Sequence, residues 1–336
     1  MKRYCFLLGI VLLAIPPQVA SAVEVIASIK PLHSLSAAVM GTTGQPKLLI
    51  QGHVSEHTYA LRPSDARLLA HAEIIFWGGP ELEGYLTRPL ENLAPKANKM
   101  ALLAIDGLHR LPLRQGGVWE GDDHDHDAAD HKERDYDTAG HKGHATRDHH
   151  PNAGSGNVPS PNAHAPLDPH AWLDPGNAMR MTLQIAETLA HVDPTRASAY
   201  RDNARQFNQR LEALDRQLAQ ELANVRQRPY IVFHDAYHYF EKHYGLNSVG
   251  SILLHPEQPP GAKRVSQIAA RIQSTGAQCL FTEPQFPPRL AQAVASGQPI
   301  RIGTLDPIGA AIPEGPELYF ELLRGLSQAV RGCLQG

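Results

Sequence analysis

Cysteine is nearly absent from the 336 residues, with Cys5, Cys279 and Cys333 the whole complement. An excess of one charge is missing too. The 31 Lys and Arg against 34 Asp and Glu leave a net charge of -3 at pH 7. That mixture offers no long basic face to a phosphate backbone, so nucleic acid is excluded as an expected partner. Beyond the first residues no apolar run approaches the length of a membrane span. No His-Glu-x-x-His sequence is present, which removes the best-known zinc hydrolase helix. What remains is a chain with 42% hydrophobic residues, enough for a large core and long enough for two domains, and an unusual 19 histidines.

The N-terminus reads Met1-Lys2-Arg3, an apolar run from Tyr4 to Ile15, then Pro16-Pro17 and the small-residue site Ala20-Ser21-Ala22. This is the grammar of a secretory signal peptide cleaved after Ala22, and it predicts export. Cleavage removes Cys5 and leaves Cys279 and Cys333, which in an oxidising compartment suggest one disulfide.

From Val25 onward, short apolar runs alternate with helical patterns, predicting an α/β fold of mainly parallel sheets flanked by helices. Strands are expected at Val25 to Ile29, Lys47 to Ile50, Glu73 to Trp77 and Met100 to Ile105 in the first half. The second half offers Tyr230 to Phe233, Ser248 to Leu254, Gln278 to Thr282 and Ile300 to Leu305. A helix is expected over Ser64 to Ala72 with Ser64 as its N-cap. Tyr200, Ala204, Phe207, Leu211, Leu214, Leu218, Leu222 and Val225 recur at steps of three and four, one apolar stripe on a long helix that ties two lobes together. The expected organisation is a signal segment 1–22, an N-terminal lobe 23–193, a linker helix 194–226 and a C-terminal lobe 227–336. Within the first lobe, 121–166 is rich in His, Asp, Gly, Pro and Asn and nearly empty of large aliphatics, and reads as a disordered insert.

Open α/β sheets bind ligands beyond the carboxyl ends of their strands. There the sequence places Glu56 and His57 after the second apolar run, His234 and Asp235 after Tyr230 to Phe233, and Asp306 after Ile302 to Leu305. His170 sits on the loop leading into a helix near Pro175. Three imidazoles and a carboxylate suit Zn²⁺ in tetrahedral geometry, whereas Mn²⁺ is usually served by more oxygen. His33, His71 and His109 show no partner pattern and read as ordinary core or surface residues, and His53, four residues before His57, reads as a loop residue with an accessory-ligand role as the alternative.

The segments Ser28-Ile-Lys-Pro-Leu32, Ser55-Glu-His-Thr-Tyr-Ala-Leu-Arg-Pro-Ser-Asp65, His170-Ala-Trp-Leu173, Phe233-His-Asp-Ala-Tyr237, Phe281-Thr-Glu-Pro-Gln-Phe286 and Gly303-Thr-Leu-Asp-Pro307 follow one another in this order. Together they resemble the metal-binding solute receptors of ABC transporters, and among these the periplasmic zinc-uptake receptors. The likeness runs over the whole mature chain, and a His-rich insert is typical of the zinc branch.

The resemblance implies two α/β lobes joined by one long helix, Zn²⁺ as cargo and an inner-membrane ABC permease as partner. It implies a periplasmic, monomeric binding protein rather than an enzyme. It assigns His57, His170 and His234 as ligands. Manganese-binding relatives carry Glu where His234 stands, which favours zinc here. Asp306 matches a carboxylate that completes the site in some members, while in others the fourth position is held by water or by the residue aligned with Glu56. Glu56 also suits a solvent-facing place, and an Asp before Pro is a common turn residue. Cys279 and Cys333 match family cysteines.

Rival readings carry their own discriminators. Three histidines around an open position also suit a zinc hydrolase, which would show turnover. A metallochaperone or surface adhesin using the same fold without a transporter would fail to rescue growth in zinc-poor medium, and a manganese receptor of the same fold would prefer the other metal. Within the insert, His124, His126, His131, His141, His144, His149, His150 and His164 are expected to form weak metal sites that gather Zn²⁺.

Overall fold

The computed structural model describes residues 22–114, 119, 166–253, 256 and 260–336. The signal segment and all eight insert histidines lie outside the described residues, as does most of 121–166. No helix among the described residues is long and apolar enough to cross a membrane.

The first lobe follows the order β1 (Val25–Ala27), α1 (Lys30–Met40), β2 (Lys47–Leu48), α2 (Pro63–Ala70), β3 (Ile74–Trp77), α3 (Pro80–Glu83), α4 (Thr87–Leu93), β4 (Asn98–Ala101) and α5 (Pro175–Val192). The helix α6 (Ala197–Leu222) links it to β5 (Tyr230–His234), α7 (His238–Tyr244), β6 (Ser248–Leu253), α8 (Ala262–Thr275), β7 (Cys279–Thr282), α9 (Arg289–Ala295), β8 (Arg301–Thr304) and α10 (Leu318–Gln335). Each lobe holds a four-stranded parallel sheet, β2-β1-β3-β4 and β6-β5-β7-β8, so the two halves repeat one topology. Parallel sheets are covered on both faces and their strands read as unbroken apolar runs. Ile74–Trp77 and Tyr230–His234 are buried at every position.

Several strand ends fall short of the apolar runs. The run from Met100 to Ile105 is a strand only as far as Ala101. Its next residues, Leu102–Ala104, turn in a 3₁₀ helix that returns the Leu103 N–H to the Gly78 carbonyl at 3.1 Å. Ser64 does not cap α2. Pro63 occupies the first turn, where its fixed φ suits a helix start, and the Asp65 carboxylate accepts the Arg62 N–H at 2.7 Å.

The linker helix α6 is 26 residues, about 39 Å at 1.5 Å per residue, with short 3₁₀ turns at Pro194–Arg196 and Ala223–Val225. All eight stripe residues from Tyr200 to Val225 are buried, packed on α1, α5 and α10. One apolar cluster therefore runs from β1 and β3 through α6 to Tyr230, Phe281 and α10, while a smaller one fills the far side of the second sheet. Cys279 in β7 is bonded to Cys333 in α10.

Polar ties cross between the lobes as well. The buried Lys30 ammonium donates to the carbonyls of Gly309 (3.2 Å), Ala310 (2.7 Å) and Ile312 (2.6 Å). The Tyr319 N–H donates to Ser34 Oγ at 3.0 Å. The Trp172 indole N–H donates to the Pro307 carbonyl at 2.9 Å, and the Tyr319 hydroxyl to the Trp172 carbonyl at 2.5 Å.

Candidate metal centre

In a sheet of order 2-1-3-4 the strand order reverses between the first and third strands, and the crevice beyond their carboxyl ends is where such folds hold ligands. In the second lobe that crevice receives His234, the last residue of β5, and Glu283, the first after β7. Facing them from the first lobe are Glu56 and His57, on the turn between β2 and α2, and His170, just before the 3₁₀ turn Ala171–Leu173 that leads to α5. Asp174 caps α5 by accepting the N–H groups of Gly176 and Asn177, which fixes the carboxyl side of the His170 loop.

Glu56, His57, His170 and His234 bring one ligand atom each to within 4.8 Å of all the others. His57 Nε2 lies 3.1 Å and His234 Nε2 3.3 Å from His170 Nε2. Glu56 Oε1 is 3.8 Å from His57 and 4.0 Å from His170. Tetrahedral zinc with bonds of about 2.0–2.1 Å has ligand-to-ligand edges of about 3.3–3.4 Å. The three nitrogens already sit near that spacing, and a small inward shift of the carboxylate completes the figure.

The far side of two rings is anchored. His170 Nδ1 is 2.8 Å from Asp168 Oδ1, which also accepts the His170 backbone N–H. His234 Nδ1 is 2.8 and 2.7 Å from the two oxygens of Glu283. Each carboxylate holds a proton on Nδ1 and turns the Nε2 lone pair inward, the arrangement by which histidine ligands are oriented. With Nδ1 protonated on both rings, the two Nε2 lone pairs would face each other at 3.3 Å, a spacing suited to a proton or metal ion between them.

The site is almost dry. Glu56, His170 and His234 are 1%, 3% and 2% exposed, and only the His57 ring, at 11%, reaches the rim. Burial pushes the Glu56 carboxyl up against the pull of His234 and His170. Glu56 Oε1 has no hydrogen-bond partner among the described residues, so a cation there would satisfy a buried acceptor. Burial would lower His234, but the charge of Glu283 and its hydrogen bond outweigh it and raise the imidazole above its ordinary value. Burial would likewise raise Asp168, yet the hydrogen bond and charge of His170 hold it well below the usual carboxylate range.

Asp306, one of the candidates for the fourth position, stands outside this cluster. Its Oδ1 accepts Gln285 Nε2 (2.8 Å) and the N–H groups of Ile308 (3.2 Å) and Gly309 (3.0 Å), and its Oδ2 accepts the Ala310 N–H (2.6 Å). Those bonds use both oxygens to shape the turn whose carbonyls receive Lys30 and Trp172. Glu56, not Asp306, is the carboxylate that clusters with the three histidines.

The other histidines are elsewhere. His33 is buried and bonds through Nε2 to the Pro46 carbonyl at 2.9 Å, while His53 and His71 are exposed. His109 does have a partner, Asp174 Oδ2 at 3.2 Å. Sequence reasoning missed the anchoring roles of Asp168 and Glu283. The rule that found His234, inspection of the residue ending a strand, would have found Glu283 after β7.

Residues 25–333 match the family described as "Zinc-uptake complex component A periplasmic". The chain belongs to this family. A high-affinity zinc uptake system protein ZnuA of Brucella abortus is 43% identical over 310 residues, 92% of this chain and 91% of the relative. A protein of the same name from Yersinia pestis is 34% identical over 99% of this chain and 98% of its own length. A solved ZnuA crystal structure superposes with a TM-score of 0.71 at 22% identity, covering 93% of this chain and 99% of the other. That likeness bears on the fold alone.

Proposed function

We propose that the protein is a periplasmic receptor that binds one Zn²⁺ in the cleft between its lobes through Nε2 of His57, His170 and His234, and surrenders it to an ABC-type permease for zinc uptake. Glu56 is the fourth ligand in this reading. The observation that carries it is the pair of carboxylate-anchored rings, His170 and His234, whose Nε2 atoms face each other beside His57 at the edge length of a zinc tetrahedron. The zinc-uptake names of relatives at 43% and 34% identity support the same cargo. A nitrogen-rich set with one carboxylate favours zinc over harder cations. With Glu56 filling the fourth position, no place remains for the metal-bound water of a hydrolase, so the site works by binding and not by turnover.

Export through the segment 1–22 and weak zinc capture by the histidines of 121–166 belong to the same reading. Competition titration of purified protein against a chromogenic zinc chelator tests it: one tight site per chain without hydrolytic turnover is expected. Deleting 122–164 should leave that site and lower the total zinc bound at saturation. Growth rescue of a zinc-uptake-deficient strain in zinc-poor medium tests delivery, and no rescue by a tight-binding, exported protein would overturn the transport role.

A further inference from the structure

A second group of buried charges crosses between the lobes and ends beside the metal centre. Leu111–Arg114 and Pro166–Asp168, the two arms flanking the insert, pair antiparallel through Pro112 and Leu167. The Leu113 N–H donates to the Pro166 carbonyl and the Asp168 N–H to the Leu111 carbonyl, both at 2.9 Å. Tyr239 of α7 clamps this stem, its hydroxyl accepting the Leu111 N–H at 2.9 Å and donating to the Asp168 carbonyl at 3.1 Å.

From the end of the stem Arg114 reaches into the second lobe. Its Nε donates to Asp235 Oδ2 at 3.0 Å and its Nη2 to Asp235 Oδ1, while Nη1 lies 2.8 Å from Glu241 Oε2. The three side chains are 16%, 7% and 3% exposed, and the Trp119 ring covers the guanidinium at 3.8 Å. Asp235 is the residue after His234, and Asp168 stands two before His170. The stem is thus bonded through separate carboxylates to two of the candidate ligands.

We propose that Arg114 is a positioning residue for the metal centre. Through Asp235 it fixes the backbone of His234 against the stem that carries Asp168 and His170, and so sets how long bound zinc stays. The guanidinium is a planar fork that grips a carboxylate at two points, so the angle of the Asp235 loop is held as well as its distance. A lysine keeps the charge between Asp235 and Glu241 but grips at one point. The inference rests on the zinc reading of the site, and it goes beyond that reading by assigning part of the affinity to a residue that touches no metal.

The test compares wild type with Arg114→Lys, and with Arg114→Ala as the harsher variant, since stranding two buried carboxylates can unfold the chain. Zinc release is timed by chelator challenge. Co²⁺ substituted for zinc reports ligand geometry by visible absorption, and thermal midpoints of metal-free protein report folding. For Arg114→Lys the expected result is one metal per chain, release about tenfold faster, shifted Co²⁺ bands and a metal-free midpoint near that of wild type; outer partners of metal ligands typically change affinity about 10- to 100-fold. A variant with a lowered midpoint but wild-type release rate and Co²⁺ spectrum would make Arg114 a brace for folding alone and overturn the inference. Failure of wild type to hold one tight zinc would instead overturn the site reading on which the inference stands.

Discussion

His170 and His234 face each other with Nε2 atoms 3.3 Å apart, while Asp168 and Glu283 hold the opposite nitrogen of each ring. The pair sits at the spacing of adjacent zinc ligands, so the proposed binding should need little rearrangement of these two rings. His170 rides on the first lobe and His234 ends a strand of the second, so an ion held as proposed would bridge the lobes.

Replacement of His57, His170 or His234 singly by Ala should weaken Zn²⁺ binding far more than Asp306→Ala. Each imidazole supplies a nitrogen that water replaces poorly, whereas Asp306 shapes a turn. Glu56→Gln should fall between, keeping an oxygen donor but losing its charge. Titration against a competing chelator measures all five, and Asp306→Ala as the most damaging change would sink this ligand set.

Acid should release the metal. Ligation needs neutral imidazole, and His234 in the metal-free protein holds its proton to a higher pH than an ordinary histidine because Glu283 favours the charged ring once burial is overcome. The sign follows: apparent zinc affinity rises with pH until His234 has lost that proton, and it declines on acidification from above the ordinary histidine value near 6.5. Glu283→Gln removes the raising charge, so its affinity should begin to fall only at lower pH. Chelator titrations at several pH values decide; a decline of the variant that starts at the same pH as wild type would remove Glu283 as the cause.

Glu83 supplies a separate pH signature in stability. It is fully buried, accepting the Ser28 hydroxyl at 3.0 Å and the Gly78 N–H at 2.7 Å, and burial above all pushes its carboxyl up to about 7 from 4.5. A carboxyl with a raised native pKa binds its proton more tightly in the folded chain. Its stabilising contribution is complete below about pH 4.5 and lost as pH climbs to about 7, by roughly 3 kcal/mol at most. The stability difference between wild type and Glu83→Gln in urea titrations of metal-free protein should therefore move in favour of the variant between pH 5 and 8. A difference independent of pH would refute the assignment.

The strands were legible because doubly covered parallel strands are continuous apolar runs, as at Ile74–Trp77 and Tyr230–His234. The stripe on α6 was legible because burial on one side of a helix imposes a 3.6-residue period. Three of the four clustered residues also stood out as histidines, His234 at a strand end and His57 and His170 on loops near the edges of the apolar runs. Glu56 was ambiguous because a carboxylate flanked by polar residues reads as solvent-facing, and its burial depends on packing by Tyr85, whose hydroxyl donates to the Glu56 carbonyl at 2.9 Å. Asp306 was ambiguous for a related reason: an Asp after a strand can ligate or cap a turn, and the Ile308, Gly309 and Ala310 N–H groups that its carboxylate accepts are visible only in the structure. The contacts of Asp168, Glu283 and Arg114 depend on tertiary placement and leave no period in the sequence.

The Cys279–Cys333 bond closes a span of 54 residues across β7 and α10. Loop-closure entropy puts its contribution at about 4 kcal/mol, an upper figure. The double variant Cys279→Ala/Cys333→Ala should unfold at lower urea while still binding zinc under native conditions, because the bond lies away from the four clustered residues. Unchanged urea midpoints would show that α10 is held by its packing alone.

The apolar cluster that passes without a break from β1 through α6 to α10 means that the two topological repeats do not melt as two domains. Calorimetry of the metal-free protein should record a single cooperative transition, with van't Hoff and calorimetric enthalpies in agreement. Neither half has a private interior on the α6 side, so a fragment ending within α6 would expose the Leu211, Leu214 and Leu218 face that its missing half covers. Duplicated in topology, the molecule shares one apolar interior, so strain introduced in either half should reach the clustered histidines of the other.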